Sequence, residues 1–422
     1  DEYMVWDCAW GTGNLTRDYQ FADLYCSTLQ QEDLNIATRY NRNATKFQYD
    51  FLNDDVEDFE RIKAVLRKPL LYKQGVNLDV VENWLSFDKV IELYQFMVEK
   101  NVVTMDECRE AYQTAINILH DTKLYKNAPG LIDGLLGDED GEHRKKLVFL
   151  INPPYGSGSD MTSISSGNTG KAGTANTVIG EIMEESKCKG RRNLYTQFMY
   201  RITLVQGLFG NDLVIGLFSP SAVLNSDMNK DIREILQKRQ VSIQESFMLK
   251  ASNFADVADN WAISFTYWNK GEKHNYDVNV AEVGNNGRIE TLYNHSLAPV
   301  ENENRAINHL ASIKKYKKVP QIVQTSAINF KEKTRDVEDG SLCQLMCNMN
   351  IAESNYTKCT LIYGLTNANW KIVGVHEENF DTVIPYYAAR KLIEPTWINC
   401  KDEYRVPNDA HPQYIQYTAD AI

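Results

Sequence analysis

The chain has 422 residues, with 45 Lys and Arg against 57 Asp and Glu, and a formal net charge of −12. That balance argues against a uniform polybasic coat, although an acidic protein can still hold a polyanion in a local basic cleft. Hydrophobic residues make up 43% of the chain and charged residues 24%. With no apolar run of transmembrane length and no basic-then-apolar leader, this composition predicts a cytoplasmic globular protein of two or three domains without a membrane partner. The chain opens on DEYMVW without a Met, so a trimmed N-terminus is expected.

Short apolar runs alternating with helical stretches predict an α/β sheet. YMVWDCAW (3–10) reads as a buried strand. It leads into GTGN, where Asn14 is placed to cap a helix running through Tyr19. DLYCSTL (23–29) and TKFQYDFL (45–52) read as the second and third strands. KLVFLI (146–151) and LVIGLFS (213–219) read as the fourth and fifth, and WAISFTYW (261–268) as a last, antiparallel strand. Helical spacing is present over 193–209 and over 227–239, the latter with Asp227 as its cap.

Two regions depart from that alternation. Residues 56–145 part the third and fourth strands by far more than a crossover needs. Periodicity over 81–100 and 104–120 marks them as an inserted helical subdomain. From about residue 275 the pattern turns mixed, with a hairpin over 280–293 turning at Asn286-Gly287 and a helix over 303–318. The predicted layout is a catalytic domain of 1–55 and 146–270, the helical insertion, and a mixed α+β domain over 275–422. Between them, GSGSDMTSISSGNTGKAGTANT (156–177) reads as a mobile surface loop. Its GNTGKAGT stretch is no phosphate-binding loop, because Ser165 stands where Gly is required and Ala172 where a Ser or Thr would hold magnesium.

Basic clusters at Lys187–Arg192 and Lys314–Lys318 read first as solvated faces. The eight cysteines form no CxxC pair. Cys343, Cys347 and Cys359 lack a His at ligand spacing, so no metal site is predicted and the thiols are expected to be reduced.

Two stretches carry chemistry. Asp7-Cys8-Ala9-Trp10-Gly11-Thr12-Gly13 is a strand end followed by a Gly-x-Gly turn, which lets backbone approach a ligand closely. A dinucleotide fingerprint would want a third Gly where Thr16 stands. The second stretch is Asn152-Pro153-Pro154-Tyr155, at the C-terminal end of a strand, where open α/β sheets bind ligands. Two prolines stiffen the backbone and leave carbonyls that only accept hydrogen bonds, and Asn152 adds a side-chain acceptor. Tyr155 offers a face on which a flat ring can stack. Acceptors set against both hydrogens of an NH₂ group localise its lone pair, and stacking aims it. Methylation of an exocyclic amine needs that combination and no shifted general base.

On these residues the chain resembles the amino-group DNA methyltransferases that use S-adenosylmethionine. A DxAxGxG motif, then NPPY, then a further domain resembles the gamma arrangement of restriction-modification N6-adenine enzymes. The resemblance implies a Rossmann-like methyltransferase sheet and S-adenosylmethionine as cofactor. It also implies double-stranded DNA as substrate and a restriction endonuclease or specificity subunit as a partner. It places Asp7, Gly11 and Gly13 at the methionine end of the cofactor, and Asp50 and Phe51 at its adenine. Asn152, Pro153 and Tyr155 would hold the target base, and residues 275–422 would recognise the DNA sequence. The closing 386–408 is similar to the ends of such enzymes.

The chain departs from the family pattern in three ways. No clear acid for the cofactor ribose stands among Ser27, Thr28, Gln30, Glu32 and Asp33. The 56–145 insertion lies outside the minimal fold. The segment that normally precedes the glycine motif is absent, which predicts weak cofactor binding. The same NPPY chemistry serves cytosine N4, RNA bases and protein glutamines, though the glutamine enzymes usually lack a large C-terminal domain. A non-catalytic nucleic-acid-binding module of the same fold is the alternative from another class.

Overall fold

The computed structural model describes residues 2–36, 39–71, 73–138, 143–155, 177–210, 214–253, 261–272, 276–284, 287–297, 305–324, 332–346, 360–362, 372–399, 404–407 and 412. The chain divides into two compact units. The first comprises Asp1–Ser219, Met228–Phe247 and Ser264–Tyr276, and the second comprises Pro220–Asp227, Met248–Ile263 and Asp277–Ile422. The predicted 156–177 loop lies outside the described residues except for Thr177.

The first unit begins with β1 (Tyr3–Asp7), β2 (Leu24–Thr28), α1 (Gln31–Ile36) and β3 (Thr45–Gln48). Helices follow: α2 (Val56–Arg67), α3 (Leu78–Val81), α4 (Val90–Glu99), α5 (Met105–Asp121), α6 (Lys123–Asn127) and α7 (Pro129–Leu136). Then come β4 (Lys146–Ile151), α8 (Val178–Glu185), α9 (Leu194–Phe209) and β5 (Val214–Pro220). After α10 (Ala222–Asn225), which belongs to the second unit, come α11 (Lys230–Lys238), β6 (Val241–Lys250) and β7 (Ala262–Lys270).

The sheet of this unit runs β3-β2-β1-β4-β5-β7-β6. Its β3, β2, β1, β4 and β5 pair in parallel, with Val5 opposite both Leu24 and Val148, and Phe149 opposite Ile215. Alternation explains the burial: Met4 and Trp6 of β1, and Leu147, Phe149 and Ile151 of β4, all turn into one core. Strand order reverses between β1 and β4. At such a switch point the loops leaving the two carboxyl ends part and open a crevice.

α9 is buried on nearly every side, which suits a helix enclosed in the interior rather than lying on the surface. An aromatic cluster joins it to the sheet. Phe51 meets Trp6 edge-on at 5.2 Å, Phe149 at 6.0 Å and Phe198 of α9 nearly parallel at 5.4 Å. Burying each such ring contributes roughly 1.5–3 kcal/mol.

In several places the structure differs from the sequence expectations. Residues 11–19 form turns and no helix. Trp10 donates its indole N–H to the buried Thr16 hydroxyl at 3.0 Å, so the chain wraps around that ring. The expected 81–100 helix breaks before α4. Leu85 and Phe87 are drawn into the core, where the Phe87 N–H bonds the Leu208 carbonyl at 2.9 Å. α11 begins at Lys230 with Asn229 at its N-cap position, and Asp227, the expected cap, lies in the preceding 3₁₀ turn. The sequence reading missed β6 because VSIQESFMLK buries serines, Ser242 and Ser246, where apolar residues would have marked a strand.

The second unit carries β8 (Tyr276–Val283) and β9 (Ile289–Leu297), neighbouring strands whose connection is closed by the Gly284 N–H on the Arg288 carbonyl at 2.8 Å. Asn286 of the expected turn lies outside the described residues. α12 (Ala306–Ile313) is shorter than the expected 303–318, and β10 (Lys318–Gln324) takes over at Lys318, pairing antiparallel with β11 (Glu332–Glu338). A three-stranded sheet of β12 (Cys343–Met346), β13 (Thr360–Ile362) and β14 (Ile372–Val375) follows, with β12 in the centre. α13 (Phe380–Leu392) completes a separate core with Ile307, Leu310, Leu345, Val375 and Val383.

Candidate functional site

A cavity of about 190 Å³ lies at the carboxyl ends of β1 to β4. Cys8, Ala9 and Gly11 line it after β1, Thr28 and Leu29 at the end of β2, and Tyr49 to Asn53 after β3. Pro154 reaches it after β4, Thr177 from the start of α8, and Leu194 and Phe198 from α9. The wall is mostly apolar and aromatic, with a few polar groups converging, as in small-molecule sites generally.

Of the residues singled out from the sequence, Gly11, Asp50 and Phe51 line this cavity. Gly11 has φ +52°, and nothing lies within 4 Å of where a Cβ would stand, so its backbone faces open space. Gly13 has φ +84° and a different role. A Cβ there would be 2.8 Å from the Trp10 ring, so its lack of a side chain serves packing. Asp7 is buried beneath the turn and accepts a hydrogen bond from the Ala9 N–H at 3.2 Å. Burial without a cation pushes its carboxyl up to about 7. Its observed contact organises the loop that carries Cys8, Ala9 and Gly11.

The loop after β3 is tightly wired. Asp50 accepts from the Leu52 N–H at 3.1 Å and from Asn53 Nδ2 at 2.7 Å, and its own N–H donates to Asp54 Oδ2 at 2.7 Å. Asn53 Oδ1 in turn accepts from the Val178 N–H at 2.8 Å, tying this loop to the start of α8. On the other side, Asp55 accepts from the N–H groups of Lys123 and Leu124 at 2.9 and 2.7 Å, while Lys123 Nζ pairs with Asp54 at 2.6 Å. The helices of the insertion are thereby anchored to the loop that bears Asp50 and Phe51.

At the end of β4, Asn152 and Pro154 are exposed, Pro153 is buried and Tyr155 is half-buried. The Tyr155 hydroxyl donates to Asn152 Oδ1 at 2.6 Å. Desolvation raises the Tyr155 phenol above its usual range, so it is a neutral donor. Pro154 brings this strand end to the cavity rim, whereas Asn152, Pro153 and Tyr155 are not part of its wall.

Sequence reasoning left Thr28 undecided among the ribose candidates and missed Asn53, Thr177, Leu194 and Phe198. Position at a parallel strand's carboxyl end was a usable signal for Thr28, whose hydroxyl donates to Asp33 at 2.7 Å. Thr177 caps α8 through the Gly180 N–H at 2.9 Å and donates to Gln197 Oε1 at 2.6 Å, a pairing across sequence that no local pattern announces. The Cys8 and Cys26 thiols are pushed up by burial and stay protonated. Among the described residues no group of His, Cys, Asp or Glu could hold a metal ion, and no helix is long and apolar enough to cross a membrane.

These residues suit a ligand with a flat apolar ring and a polar tail: aromatic walls, the Asp50 and Thr28 oxygens, and open backbone at Gly11. No protein-family model and no curated protein matches the sequence. Among solved structures, the chain is similar to a modification subunit of a putative type I restriction enzyme from Vibrio vulnificus, at 13% identity and a TM-score of 0.32, over 86% of this chain and 54% of that one. It is also similar to the methyltransferase subunit of a type I restriction-modification system from Streptococcus thermophilus, at 13% identity and 0.30, over 69% and 46%. A putative class I S-adenosylmethionine-dependent methyltransferase from Listeria monocytogenes overlaps at 12% identity and 0.19, over 60% and 80%. The chain spans about half the length of the first two.

Proposed function

We propose that this chain transfers a methyl group from S-adenosylmethionine to the N6 amino group of a flipped-out adenine in DNA. The observation that carries the reading is the convergence, on one cavity, of the Gly11 turn, the Asp50-Phe51 loop and Pro154 of the NPPY strand end. Three segments far apart in sequence, each singled out for the same chemistry, meet at the carboxyl edge of a parallel sheet.

Bound there, the cofactor supplies an electrophilic methyl group. Phe51, Phe198 and Leu29 would enclose its purine, Asp50 would accept from the purine amine, and Thr28, supported by Asp33, would meet the ribose. Gly11 would let the polar tail approach the backbone. Asp7 serves this by holding the Ala9 N–H, and with it the turn.

The target base belongs at the cavity rim. Asn152 Oδ1 and the carbonyl beside it would accept the two amine hydrogens and stabilise charge as it develops on nitrogen. Tyr155 would stack on the ring, its hydroxyl releasing Asn152 as the base arrives. Extruding a base costs a few kcal/mol, which backbone contacts have to offset. Residues 275–422 are the proposed reader of the DNA sequence. In their basic run Lys314 pairs with Glu378, which leaves Lys315, Lys317 and Lys318 for phosphates.

The test is methyl transfer from labelled cofactor to unmethylated duplex DNA, RNA and protein, followed by base analysis. Label in N6-methyladenine of duplex DNA is the expected result. Label in N4-methylcytosine or in RNA would replace the substrate and keep the site. No transfer to any of the three, with cofactor bound, would favour the non-catalytic module.

A further inference from the structure

A second cavity, of about 270 Å³, lies on the opposite edge of the same unit. The first cavity gathers residues that follow parallel strands, whereas this one is lined by Gly207 and Gly210, which precede β5. Four cations face it: Lys63 from α2, Lys89 just before α4, and Lys238 and Arg239 at the end of α11. Two carboxylates lie beside them, Glu82 in the lining and Asp88 against Gly210, and each is already engaged, Glu82 by Arg67 and Asp88 by the Ser86 hydroxyl.

The cations converge rather than merely sharing a face. A methyl group added to Gly207 would lie 3.0 Å from Lys63 Nζ and 2.9 Å from Arg239 Nη2. Two positive groups thus approach one point beside this glycine. Among the described residues no carboxylate comes within ion-pair distance of Lys63, and Glu60 and Glu82 act on it only from farther away. Arg239 spends one nitrogen on Gln206 Oε1 at 2.9 Å. Both groups are half-buried, and desolvation pulls both below their usual proton affinity.

A structural role accounts for part of this. Lys238 and Arg239 end α11, where the helix dipole favours positive charge. That does not explain Lys63, which sits inside α2 and points its ammonium at the same spot. Like charges held together in a partly dry cavity are relieved by an anion. Four cations against two carboxylates that already have partners suit a multiply charged oxyanion, since a lone carboxylate would be satisfied by one arginine fork.

We propose that Lys63, Lys89, Lys238 and Arg239 form a phosphate-binding site, separate from the methyl-transfer cavity, that takes a polyphosphate group. The group is either the tail of a free nucleotide or the backbone of a nucleic acid. The site stands independently of the proposed methyl transfer.

Titration calorimetry of the full chain with inorganic pyrophosphate, at ionic strength held constant with chloride, tests it. Saturable binding is expected. Lys63→Gln and Arg239→Gln should each weaken it by about tenfold or more, the scale of one charge-assisted hydrogen bond. The exposed Lys89→Gln, which gives up only the Lys89 contact over the Trp84 ring at 5.8 Å, should weaken it several-fold, whereas Lys315→Gln in the other unit should not. S-adenosylmethionine titrations on the same variants should match the parent, which separates failure of this site from failure of the methyltransferase reading. Competition by adenosine triphosphate alone identifies a free nucleotide, and competition by a short duplex identifies a nucleic-acid backbone; both support the site. Absence of saturable pyrophosphate binding, or Lys63→Gln, Arg239→Gln and Lys89→Gln all binding like the parent, overturns it.

Discussion

The Tyr155 hydroxyl donates to Asn152 Oδ1 at 2.6 Å, so the acceptor proposed for the target amine is occupied when no base is present. The tyrosine ring and its hydroxyl therefore have opposed effects. Tyr155→Phe frees Asn152 and keeps the stacking face, and methyl transfer should stay within a few-fold of the parent. Tyr155→Ala removes the ring and should be much more damaging. Asn152→Ala should lose roughly 10²–10³ in rate, the usual cost of one preorganised charge-stabilising group, with cofactor affinity unchanged. Single-turnover transfer from labelled cofactor measures all three, and a Phe variant as impaired as Ala would refute the stacking role.

The two motif glycines should fail differently. Gly11→Ala meets open space, so its cost in stability is backbone strain alone, about 1–2 kcal/mol for a left-handed residue. Cofactor affinity should suffer more, because the new methyl occupies the face where a ligand would approach. Gly13→Ala adds a clash with the Trp10 ring to the same strain, and should cost more stability than Gly11→Ala. Urea unfolding paired with cofactor titration separates the two. Equal losses of affinity from both variants would contradict the assignment.

Asp7 predicts a pH dependence with a definite sign. Its folded carboxyl titrates at about 7 because burial opposes the charge, while in the unfolded chain it titrates near its ordinary value of about 3.9. Between those values the native state holds a proton that the unfolded state has lost, so stability falls as pH rises from about 4 to about 7 and then levels off. Asp7→Asn removes this term and keeps an acceptor for the Ala9 N–H. Its stability relative to the parent should therefore grow across that window, by an amount on the order of a few kcal/mol. Urea midpoints at about pH 5 and about pH 8 check it; a constant difference would mean that the carboxyl is not desolvated.

Asp55 ties the insertion to the loop that bears Asp50 and Phe51. Its carboxylate receives both the Lys123 and Leu124 N–H groups, while its own backbone sits at φ +56°. Asp55→Ala loses this cap and keeps the strain, and should cost about 1–2 kcal/mol. Asp55→Gly relieves the strain and should be less harmful than Ala. If the insertion steadies the Asp50-Phe51 loop, cofactor affinity should fall in parallel, as calorimetry would show.

The sequence by itself determined the five parallel strands, because a parallel strand buried on both faces writes its identity into a short apolar run: KLVFLI became β4 residue for residue. It also singled out Asn152-Pro153-Pro154-Tyr155 as a candidate site, since two prolines and an amide at a strand end are legible as local geometry. Local pattern failed where distant contacts outweighed it. Residues 11–19 turn around Trp10 instead of forming a helix, and Leu85 and Phe87 interrupt an otherwise helical period because the core takes them. Only the tertiary structure decided that Asn53 would hold α8, that Thr177 would reach Gln197, and that Lys63 and Arg239 would converge beside Gly207. Each of those pairings joins residues at least 20 positions apart, and a hydrogen bond or a shared cavity between such groups depends on how the elements pack, which no local periodicity encodes.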